Sequence, residues 1–90
     1  MAVGAELGTL QTLHRTFTEK AQQANDIKMR VQSALDSAEW TGRYSSDFRA
    51  AWADYKANLD RLQEALEGAA SDVKANHNNI AMATGEADRI

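Results

Sequence analysis

Two histidines, His14 and His77, are the residues best suited to chemistry at neutral pH, because imidazole serves as both general base and metal ligand. They stand 63 positions apart, and neither has a second histidine three or four residues away to complete a paired ligand face on a helix. A Glu-x-x-His pair, which completes di-iron sites in helical bundles, is also missing, so Asp60, Glu64 and Glu67 read as a solvated helix face. With zero cysteines there is no thiolate nucleophile, no Cys-ligated zinc or iron–sulfur cluster and no disulfide. Neither a nucleophile elbow nor a phosphate-binding glycine loop nor a dinucleotide fingerprint occurs. The sequence therefore predicts a non-enzymatic protein with no catalytic residue, no metal and no cofactor.

The aromatic residues remain. Phe17, Phe48, Trp52 and Tyr55 fall on apolar stripes, where packing accounts for them, but Trp40 stands beside Gly42 at a break in the pattern. There it can either plug the open end of a helix pair or offer an apolar patch to a partner. What positions it follows from composition and periodicity. The 90 residues are 43% hydrophobic and 26% charged, with no proline and five glycines, a balance suited to long uninterrupted helices. Thirteen acidic against ten basic residues give a net charge of −3 with no run of like charge, which argues against nucleic-acid binding. Nothing approaches the roughly 18 consecutive apolar residues of a membrane span. Met1–Gly8 lacks the basic and apolar regions of a signal peptide, so any export is expected to proceed without a cleavable signal.

Along the chain, Met1–Gly8 reads as an arm and Thr9 as an N-cap. Leu10, Leu13, Phe17, Ala21, Ala24, Ile27, Val31, Leu35 and Ala38 then recur at steps of 3 or 4, predicting a helix over 9–39 of about 45 Å. The pattern breaks across 40–46. Gly42 suits the left-handed conformation that closes a helix, and Ser45, Ser46 or Asp47 can cap the next one. From Phe48 the steps alternate 4 and 3 without interruption through Trp52, Tyr55, Leu59, Leu62, Leu66, Ala69, Val73, Asn76, Ile80 and Ala83, a heptad seam that predicts a helix over 47–83. Asn76 is the one polar residue in that seam, where a buried Asn fixes register. Gly68 interrupts the helix at a cost of roughly 1 kcal/mol, and 84–90 reads as a flexible tail.

Two such helices cannot enclose a core between themselves. A chain this small needs a disulfide, a metal or a partner, and the first two are unsupported. The predicted fold is thus all-α: one antiparallel helix–turn–helix hairpin spanning 1–90 that dimerises into a four-helix bundle.

Two long helices joined at Trp40-Thr41-Gly42, with Phe48 and Trp52 following, resemble the WXG family, the ESAT-like proteins of about a hundred residues. The resemblance covers the whole chain in architecture. It implies export through a type VII (ESX or Ess) secretion system as a folded dimer recognised by an FtsK/SpoIIIE-type ATPase, from a bacterial, actinobacterial host. Many members carry a Tyr-x-x-x-Asp/Glu signal after the second helix. This chain departs from that: its last tyrosine is Tyr55, and the nearest equivalent is Met82-x-x-x-Glu86. It is similar in this respect to the signal-less member of the heterodimers, which implies that a WXG partner bearing Tyr-x-x-x-Asp/Glu supplies the signal in trans, with Trp40 sharing the composite recognition surface and Gly42 shaping the turn. A homodimeric WXG adaptor and a plain coiled-coil scaffold are the alternatives. Membrane activity, associated with ESAT-like proteins, finds little support in polar faces that mix both charge signs.

Overall fold

The computed structural model describes the backbone of residues 3–85 and 89–90, and the side chains from Leu7 onward. Helix α1 covers Val3–Ser37 and helix α2 covers Arg43–Ala83. They pack against each other as a hairpin 62 Å long and 18 by 17 Å across, with no strand among the described residues.

α1 begins six residues before the expected cap at Thr9. Gly4 and Gly8 lower helix propensity there, but Leu7 continues the 3–4 spacing of the contact face and is buried, and packing of an amphipathic face outweighs propensity. The other end is two residues shorter than predicted. The turn then spans 38–42, and α2 starts at Arg43 rather than at 47. Gly42 opens α2 instead of closing α1: it is the N-cap, with φ 107 and ψ −177, and its carbonyl accepts from the Ser46 amide at 3.0 Å. That positive φ is what requires a glycine, since a Cβ would meet open space yet a strained backbone.

Ser45 does not cap the helix. It is buried inside the first turn, where its hydroxyl donates to the Trp40 carbonyl at 2.8 Å and accepts from Arg49 Nε at 3.1 Å. The same guanidinium donates to the Leu35 carbonyl at 3.2 Å, near the end of α1, where that oxygen also accepts from the Ala38 amide at 3.4 Å. One arginine thus ties the end of the first helix to the start of the second.

The hairpin core is thin and small-celled. Its buried apolar residues are Leu7, Ala21, Ala24, Trp52, Ala70, Val73 and Ala81, joined by Ser45 and His77. The helix–helix contact uses only part of each predicted stripe. On α1 the line turned inward is Leu7, Leu10, His14, Phe17, Ala21, Ala24, Lys28, Val31 and Leu35; on α2 it includes Trp52, Lys56, Leu59, Gln63, Leu66, Ala70, Val73 and His77. Relative to the expected seam, His14 and Lys28 stand where Leu13 and Ile27 were expected, and Lys56, Gln63, Ala70 and His77 where Tyr55, Leu62, Ala69 and Asn76 were expected. Leu13, Ile27, Tyr55 and Leu62 are 39%, 51%, 51% and 49% exposed. The residues of the predicted seam on the inward lines are Leu10, Phe17, Ala21, Ala24, Val31, Leu35, Trp52, Leu59, Leu66 and Val73, with Phe48, Ala69 and Ile80 half-buried.

Each helix is therefore rotated by part of a turn from the centre of its apolar stripe. Long polar side chains tolerate this, since Lys and Gln lay their stems along the contact and carry their heads to one side. Asn76 does not occupy a buried position: it is exposed, and its amide donates to the Asp72 carbonyl of its own helix at 3.1 Å. The buried polar residue is its neighbour His77. Gly68 is exposed with no neighbouring backbone near it, so it permits no close helix approach.

Candidate functional interface

The rotation gives the hairpin two unlike sides. On one, Val31, Phe48, Trp52, Tyr55, Leu59 and Leu62, with Asn58, line a groove of about 420 Å³. A second groove of about 400 Å³ runs toward the turn between Arg30, Val31, Ala34, Leu35, Ala38 and Trp40. Val31 borders both, so they lie on one side of the molecule. Position by position, Phe48, Tyr55 and Leu62 repeat every seven residues and form an apolar ridge along α2, faced by Ile27 and Ala34 at the matching seven-residue spacing of α1.

Trp40 sits where this side meets the turn and is 41% exposed. Its ring lies 6.0 Å from that of Phe48, which stacks on Trp52 at 6.1 Å and 12°, and the Arg49 guanidinium lies 6.0 Å from the Trp40 ring centroid. A half-exposed indole held by an aromatic and a cation is preorganised rather than loose, the property that lets a Trp anchor an interface. It packs at the end of the hairpin and still shows a face to solvent.

The opposite side is the more polar one, although the exposed Met29 and Ala53 and Ala57 also line it. Lys28 Nζ meets Asp60 Oδ1 at 2.5 Å, and these two residues border a depression of about 730 Å³ with Gln32, Asp36 and Lys56. Trp52 Nε1 donates to Gln32 Oε1 at 3.0 Å, so the one buried tryptophan reaches both sides. No catalytic constellation forms among the described residues. Asp60 is taken by Lys28, Glu67 accepts from Gln63 at 2.9 Å, and no group of three or more His, Asp or Glu side chains among the described residues stands close enough to hold a metal ion. Among the described residues, no helix is long and apolar enough to cross a membrane. Of the degenerate export signal, Met82 is exposed at the end of α2, and Glu86 lies outside the described residues.

The sequence pattern does not reveal the burial of Leu7, Ser45 and His77 or the reach of Arg49 across the turn. Leu7 carried a signal, its spacing to Leu10, which the flanking glycines masked; Ser45 and His77 are polar residues whose burial only the rotation of α2 decides, and the exposed Arg49 acts through bonds across the turn that periodicity does not show. Comparison of the chain with protein-family models, with curated proteins and with solved structures gives no match.

Proposed function

We propose that this protein is a non-enzymatic WXG-type secretion substrate that acts as one half of a helical dimer, docking its partner on the Val31–Phe48–Tyr55–Leu62 side. The family and the export route rest on the resemblance at Trp40-Thr41-Gly42. The docking role rests on one observation: an apolar side that the hairpin itself leaves uncovered while polar side chains occupy part of its own contact line. The surface area agrees. The chain exposes 6246 Å², whereas a compact folded monomer of its 9.9 kDa exposes roughly 5,200 Å². The excess, about 1,000 Å², is comparable with the ~800 Å² each partner contributes to a standard interface.

In this reading the hairpin supplies two of the four helices of the bundle. A WXG partner supplies the other two and the Tyr-x-x-x-Asp/Glu signal, and Trp40 forms part of the surface read by an FtsK/SpoIIIE-type ATPase. The test is light scattering coupled to size exclusion, on the isolated chain and on the chain co-expressed with its genomic neighbour. A copurifying helical protein with a Tyr-x-x-x-Asp/Glu tail is the expected result. A self-sufficient species at twice 9.9 kDa would replace the in-trans signal by the homodimeric adaptor. A stable monomer in both settings would overturn the docking role itself. Export is tested separately: Trp40→Ala should lower secretion while leaving the complex formed.

A further inference from the structure

Beyond α2 the chain is expected from its sequence to be flexible, yet Ile90 is bonded to the helix it has left. Asn78 Nδ2 donates to the Ile90 carbonyl at 3.3 Å, and the Ile90 amide donates to Asn78 Oδ1 at 3.1 Å. One side-chain amide thus reads both main-chain groups of a single residue. Ile90 is half-buried and borders, with Gln11, His14, Arg15, Thr18 and Glu19 of α1, a depression of about 270 Å³. His14 and Thr18 also line the depression next to Lys74, on the polar side of the hairpin. Ile90 therefore lies on the side opposite the apolar grooves.

The orientation of this pairing has a cause one residue earlier. A main-chain N–H and a carbonyl cannot exchange roles, so Ile90 fixes which end of the Asn78 amide is oxygen. The same Oδ1 lies 3.1 Å from His77 Nδ1. Because that oxygen only accepts, Nδ1 must carry the imidazole proton, and Nε2 is left as a bare acceptor. Nε2 is fully buried without a hydrogen-bond partner. As a packing residue, then, His77 is a poor choice, since an apolar side chain would fill the site without a stranded lone pair. What the imidazole does, and an apolar residue cannot, is hold the Asn78 amide in the orientation that Ile90 needs.

We propose that His77, Asn78 and Ile90 form a latch, with His77 as the positioning residue, that holds Ile90 against α1 on the polar side. The inference goes beyond the proposed secretion role and does not depend on it. It is tested on the full chain by hydrogen exchange of the Ile90 amide and by proton–proton contacts between the Ile90 methyls and the His14 and Thr18 side chains, with the melting temperature measured in parallel. In the wild-type protein the Ile90 amide should exchange at least about tenfold more slowly than in a free peptide. Asn78→Ala should return it to the peptide rate and remove the methyl contacts without loss of helicity. His77→Leu should weaken protection of Ile90 several-fold while the melting temperature holds or rises, a split that a merely structural histidine would not produce. An Ile90 amide that exchanges at the peptide rate in the wild type, or keeps its protection in Asn78→Ala, would overturn the latch. A His77→Leu protein in which melting temperature falls while Ile90 protection persists would overturn the positioning role.

Discussion

The two sides of the hairpin are made from the same two helices and differ by about half a turn of each, yet they have opposite character. One presents Phe48, Tyr55 and Leu62 with Val31 and Trp40 across two merged apolar grooves; the other presents the Lys28–Asp60 pair, Gln32 and Lys56. The difference teaches what the heptad seam encodes. A seam written for a single helix–helix contact would turn Tyr55 and Leu62 inward and leave Lys56 and Gln63 in water. Here the inward line includes Lys56, Gln63 and His77, and the apolar residues beside them look outward. A stripe wider than one contact, with its centre displaced from that contact, is what the proposed docking of a second neighbour requires.

Substitutions that separate the two sides sharpen or break this contrast. Trp52 belongs to both, lining the apolar groove and bonding Gln32, so Trp52→Ala should have the largest effect, a loss of about 3–5 kcal/mol of stability seen in chemical denaturation, with both sides disrupted together. Leu62→Asp should weaken association by at least about a hundredfold, some 2.7 kcal/mol, while circular dichroism stays helical, because Leu62 is half-exposed in the hairpin and a buried carboxylate has no partner on that side. Its control is Ala57→Asp on the polar depression, for which sedimentation should find unchanged association. Equal loss from both would erase the distinction between the sides. Gly42→Ala should cost about 1–3 kcal/mol in thermal unfolding, since the N-cap φ of 107 is strained for any side chain. Smallest is Lys28→Met: its partner Asp60 is half-exposed, so loss of the ion pair should change stability by no more than about 1 kcal/mol.

The fold class and the end of the second helix were legible because long alternation of 3 and 4 steps, without proline, has one local solution. The turn was legible in place but not in detail. Gly42 signals a positive φ, but whether that φ ends one helix or starts the next depends on Ser45 and Arg49, whose bonds to Trp40 and Leu35 reach across the turn. The apolar seam was legible as a set of residues and not as a contact. Periodicity cannot say which half of a wide stripe meets the nearest helix, because that choice depends on how alanine-rich stretches such as Ala21, Ala24 and Ala70 let the helices settle. The burial of His77 was illegible for the same reason: one residue away from the expected position, it exchanged surface for core with Asn76.

The central claim, that the outward apolar side is covered in the assembled protein, has a direct measurement because the chain has no native cysteine. Single cysteines placed at Leu62 and at Ala57 give alkylation rates for the two sides in the assembled species and in the dissociated, still helical hairpin. The expected result is strong slowing at position 62 on assembly and an unchanged rate at 57. A thiol at 62 that reacts equally fast in both states, or equal slowing at 57, would contradict the assignment of the docking side.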